Sequence, residues 1–92
     1  MAMGLLGSRY AGIYEGHVIE IVQDHLSKTL RLVVDGVTVA SEDRAVPRDI
    51  TLVATFEHGG IAHRLVGRSI HRGPAAKDSI EIDGKPFSIT RK

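Results

Sequence analysis

The chain is expected to form an all-β domain, an antiparallel β-sandwich or small barrel of about seven strands, on the strength of three observations. Two Asp-Gly pairs, Asp35-Gly36 and Asp83-Gly84, each sit between runs rich in β-branched and apolar residues. The segments between polar breaks alternate with a period of two, as in Ile50-Thr51-Leu52-Val53-Ala54-Thr55-Phe56. The breaks themselves are short and carry Gly, Asp, Ser or Pro.

Residues 1 to 11 are rich in glycine and small side chains and show no periodicity, so a flexible N-terminal segment is expected there, followed by a single β domain over residues 12–92. Ile13 to Val22 carries β-branched residues at both parities and is expected as one strand, with His17, Ile19 and Ile21 on one side and Val18, Glu20 and Val22 on the other. Gln23 to Ser27 is a polar break. The first Asp-Gly hairpin follows: a type I′ turn needs positive φ at both central positions, which glycine adopts freely and aspartate at modest cost. That register sets Val34 opposite Val37 and Leu32 opposite Val39, and it gathers Leu30, Leu32, Val34, Val37 and Val39 on one apolar face.

Ser41 to Asp49 is the most polar segment, expected to hold a helical turn or a loop crossing between sheets. The strand from Ile50 turns inward Ile50, Leu52, Ala54 and Phe56. The His58-Gly59-Gly60 turn leads to a strand over Ile61–His71 in which Gly67 is expected to mark a bulge or bend. After the loop at 72–77, the second Asp-Gly hairpin sets Ile80 opposite Phe87 and groups Ile80, Ile82, Phe87 and Ile89. Pro86 falls on the other parity, at a ladder end or edge.

Composition bounds the function. With 92 residues the chain builds one core. Apolar residues make up 42% and charged residues 25%, the balance of a soluble globular domain rather than a disordered or membrane one. There is no cysteine, which excludes disulfides, thiolate nucleophiles and cysteine-ligated metal centres, and no apolar run of spanning length. No signal peptide is recognisable at the start, so a cytoplasmic location without membrane association is expected. The formal net charge of +1 supplies no global field for nucleic acid or anionic lipid.

Five histidines are the first candidates for a metal or a general base. A two-residue turn at Gly59-Gly60 sets His58 opposite Ile61 and His63 opposite Phe56, offset from each other. His63 and His71 share a parity but lie about 27 Å apart along an extended strand. They are expected to be exposed or half-exposed sheet residues, with no metal site. Serines and aspartates are present, but none stands in a Gly-x-Ser-x-Gly stretch, and no EF-hand or paired-carboxylate pattern surrounds the acidic residues. No catalytic residue and no cofactor are expected.

Arg64, Arg68 and Arg72 recur on one side of a strand with Val66 and Ile70 between them. With Lys77, Arg91 and Lys92 they define an alternative reading, a small-barrel nucleic-acid-binding protein tracking phosphates with a basic strand face. Acidic residues elsewhere nearly cancel the charge, and the rings needed for base stacking are scarce.

The stretch His17-Val18-Ile19-Glu20-Ile21, then Ser27 to Gly36 ending in Val34-Asp35-Gly36, resembles the opening of domains in the Fas apoptosis inhibitory molecule family. Ile80-Glu81-Ile82-Asp83-Gly84-Lys85 is similar to the second hairpin of that family. The resemblance implies a compact antiparallel β-sandwich that binds protein and carries no catalytic residues. The expected function is therefore a non-enzymatic protein-binding or assembly module with a protein partner. Apolar residues at both parities, including Val18, Val22, Val33, Val53, Val66 and Ile70, add the expectation of a homo-oligomer, because a sheet apolar on both faces must cover the second.

Overall fold

A computed structural model describes residues 7–24, 28–43, 49–72 and 75–92, with the side chains of 71, 72, 75 and 76 excepted. Strands that alternate apolar and polar residues bury one face only, and two sheets laid face to face satisfy both at once. Among the described residues nine strands do this: β1 (Gly7–Tyr14), β2 (His17–Asp24), β3 (Thr29–Val34), β4 (Val37–Asp43), β5 (Ile50–His58), β6 (Ile61–Arg72), β7 (Ala75–Ile82), β8 (Lys85–Phe87) and β9 (Thr90–Arg91). One sheet has the order β4-β3-β2-β1-β9 and the other β5-β6-β7-β8. Every pairing is antiparallel. The chain passes from the first sheet to the second between β4 and β5, and returns between β8 and β9. Among the described residues no helix is long and apolar enough to cross a membrane.

The core lies between the sheets. Ile19, Ile21, Leu30 and Leu32 of the first sheet and Leu65 of the second are fully buried, with Ile80, Ile82, Leu52 and Phe56 beside them. Tyr10, Tyr14, Val39, Phe87 and Ile89 line its margin, partly buried. In the second Asp-Gly hairpin Ile80 pairs with Phe87 as expected, whereas β7 begins at Ala75, inside the loop expected over 72–77, and pairs with the end of β6.

Several expectations are corrected. β1 begins at Gly7, inside the segment expected to be flexible, and pairs along its whole length with β2. The stretch Ile13–Val22 is not one strand but is broken at Glu15-Gly16, with φ of 51° and 83°. Glutamate gives no turn signature in sequence, so this reversal is legible only as a lone glycine. In the first Asp-Gly hairpin Val34 faces Val37, but Leu32 faces Ala40 rather than Val39, because a bulge beside Leu32/Val33 inserts one residue into β4. Val37 is 64% exposed rather than part of the core. It sits on an edge strand directly after the turn, where the facing sheet does not cover it.

Gly67 marks no bulge, since both of its ladders run through it unbroken. Its role is close approach: a Cβ there would come within 2.5 Å of Leu32 Cδ2. Gly12 serves the crossing from β8 to β9 in the same way, with Ser88 O only 2.3 Å from where its Cβ would stand. On the reverse faces Val33 and Val66 are buried within this one chain. Each is registered against a glutamate, Glu20 and Glu81 respectively, and each glutamate is held by an arginine, Arg9 at 3.4 Å and Arg68 at 2.6 Å.

Candidate functional site

Hairpin turns in both sheets collect at one end of the sandwich, and the contacts there define the candidate site. Asp35 opens the β3–β4 turn with φ of 51°, and Asp83 opens the β7–β8 turn with φ of 54°. Held in that conformation, each carboxylate reaches the start of the preceding neighbour strand. The Val18 amide donates to Asp35 Oδ1 at 2.9 Å, and the Asp35 amide donates back to the Val18 carbonyl at 2.9 Å. The Arg64 amide and Asp83 repeat the exchange at the same distances.

The second carboxylate oxygen of each aspartate accepts from a histidine. His17 Nδ1 lies 2.6 Å from Asp35 Oδ2, and His63 Nδ1 lies 2.6 Å from Asp83 Oδ2. These hydrogen bonds hold both carboxyl groups below the usual aspartate range, the histidine contact contributing most and the backbone amide next. For Asp83 the nearby Lys85 ammonium adds a small further effect.

The two sheets are joined by one further contact. His17 Nε2 lies 2.9 Å from His58 Nδ1, and His58 Nε2 lies 3.7 Å from Glu15 Oε2. Asp35, His17, His58 and Glu15 thus form a chain of polar groups running from the β3–β4 turn, through the start of β2 and the end of β5, to the β1–β2 turn. Because His17 Nδ1 donates to Asp35, a neutral His17 presents a lone pair at Nε2, and His58 Nδ1 must then supply the proton between the rings. Around this chain the rings pack edge to face. Tyr14 touches Phe56, His63 and Phe87 at centroid distances of 5.9, 5.3 and 6.2 Å, and Phe56 touches His17 at 5.7 Å. His63 is the more enclosed histidine, its side chain 14% exposed against 40% for His58.

Chemically this end offers proton exchange through paired imidazoles, hydrogen-bonding carboxylates and an aromatic floor. Among the described residues no three histidines, aspartates or glutamates are grouped to hold a metal ion.

The registers of His58 with Ile61 and His63 with Phe56 are as expected from the turn. What sequence reasoning missed is the contact of His58 with His17 of the other sheet, which in-strand register cannot reach. A signal for the dyads exists, however: each His precedes the aspartate of an Asp-Gly pair by 18 or 20 positions. His25 lies outside the described residues, and His71 is placed in β6 without its side chain.

The basic residues of the alternative reading fall in two groups. Arg64, Arg68 and Arg72 lie on β6 and Lys77 on β7, in one sheet, while Arg91 lies on β9 in the other, followed by Lys92, whose amide donates to the Arg9 carbonyl at 2.8 Å. Arg68 is engaged by Glu81.

Comparison with protein families, with curated proteins and with solved structures finds no match to this chain.

Proposed function

We propose that the chain is a non-enzymatic protein-binding or assembly module whose docking surface is the turn end of the sandwich. One observation supports this reading above the others. Of the five large apolar side chains left exposed among the described residues, four border that end: Ile13 at 72%, Val37 at 64%, Ile61 at 63% and Val18 at 40%. Ile61 and Val37 directly follow turn glycines, and Ile13 and Val18 form a cross-strand pair beside the Glu15-Gly16 turn. Exposed apolar side chains at the same end as a set of hydrogen-bonding groups favour an interaction surface there. The resemblance of the 17–36 and 80–85 stretches to a family of protein-binding sandwiches points the same way. A basic nucleic-acid face is the weaker reading, because Arg68 is already neutralised by Glu81 and Arg91 lies on the other sheet.

The test is site-specific photocrosslinking in cells, with the photoreactive residue at position 37 or 61 and, as control, at position 53 on the outer face of the second sheet. A discrete crosslinked product from 37 and 61, absent from 53 and lost on Val18→Asp, is the expected result. A product of twice the chain's mass would identify the partner as a second copy. Equal crosslinking from 53, or none from 37 and 61, would dispose of the turn end as the docking surface.

A further inference from the structure

We propose that the His17–His58 contact is a proton-operated latch between the two sheets, closed while at least one of the two rings is neutral and open when both are protonated. Two imidazole nitrogens 2.9 Å apart can share a hydrogen bond only if one of them carries the proton and the other a lone pair. With both rings neutral, His17 donates to Asp35 through Nδ1 and accepts at Nε2 from His58. One added proton is accommodated: the bond between the rings persists, and His58 can then turn an Nε2–H toward Glu15, 3.7 Å away. A second added proton sets N–H against N–H and cation against cation, and the contact must break.

The groups facing the pair come from every element around it. The β1–β2 turn contributes Glu15, and the β3–β4 turn contributes Asp35. Glu57 precedes His58 on the reverse side of β5, and on β6 stands His63, across Phe56 and bound to Asp83. Among the described residues His63 meets an aspartate but no second imidazole, so the second dyad is not a latch. Since His17 packs against Phe56, itself 8% exposed, parting His17 from His58 uncovers an aromatic ring at the end of the core. Opening requires a second proton on a pair that already shares one, so acid opens the latch and alkali keeps it shut. The latch needs only this contact and works whether or not the turn end docks a partner.

Backbone amide and imidazole NMR spectra of the intact chain, recorded from about pH 8 to pH 4.5, test it. Gly16 and Gly59 belong to turns in different sheets. Their amide shifts are expected to move in one transition with a common midpoint, accompanied by the Phe56 ring signals. His58→Gln keeps the latch shut in acid, because an amide side chain offers both a donor and an acceptor, so the transition at Gly59 and Phe56 is lost. His58→Leu cannot bond at any pH, and its Gly16 and Gly59 shifts should sit at the acid position already at neutral pH. His63→Gln should leave the transition intact. Separate midpoints for Gly16 and Gly59 in the parent chain, persistence of the transition in His58→Gln, or its loss in His63→Gln would each overturn the proposal.

Discussion

Asp35 and Asp83 do at the scale of one residue what a longer loop would otherwise do: each adopts the left-handed backbone of its turn and uses both carboxylate oxygens to fasten that turn to the preceding neighbour strand. Charge-assisted bonds of this kind favour the ionised carboxyl in the folded chain. The consequence for pH follows from the sign of the shift. A carboxyl lowered in the native state stabilises the fold above its ordinary value of about 3.9, and that contribution is lost as the pH falls through the lowered native value. Urea midpoints measured from neutral pH down to pH 2 should therefore drop on acidification in the parent chain. Asp35→Asn and Asp83→Asn should be less stable at neutral pH and should show a shallower acid slope, each removing part of it. Equal slopes in parent and variants would assign the acid sensitivity elsewhere.

At the scale of the element, the sequence was most legible where local chemistry alone decides the conformation. The two Asp-Gly hairpins, the alternation of β5 and the pairing of Ile80 with Phe87 all follow from rules that need only a few neighbouring residues. The reversal at Glu15-Gly16, the bulge in β4 and the His17–His58 contact were not legible, because they depend on which strand lies across the core. Gly67 shows the difference. From sequence it suggests a bend, whereas in the fold it makes room for Leu32 and Ile21 of the opposite sheet. Gly67→Ala should cost about 1–3 kcal/mol by overpacking, measured by chemical denaturation, and Leu32→Val in the same chain should recover part of the loss. Additive losses in the double variant would mean the two side chains do not compete for that space.

The whole molecule is two renditions of one pattern. In each half a histidine at the start of a strand is bonded to the aspartate of an Asp-Gly turn, a Glu-Val cross-strand pair covers the outer face, and a polar residue lies buried six positions after the histidine, Gln23 in one half and Ser69 in the other. Each half exposes its entire apolar face without the other. Separate peptides covering 1–46 and 47–92 should accordingly show no cooperative unfolding by circular dichroism, and mixing them should restore a transition. A cooperative transition in either peptide alone would refute the mutual dependence of the sheets.

The strand order of the second sheet stops at β5, nine residues with a single charged side chain, Glu57, and neither proline nor lysine. A border so uniform is a template onto which a foreign backbone can add, and soluble proteins ordinarily spoil such borders with a lysine or a kink. Concentrated stocks should accordingly fibrillise, with thioflavin fluorescence as the gauge, and Val53→Lys, at an exposed position, should lengthen the lag phase without disturbing the interior.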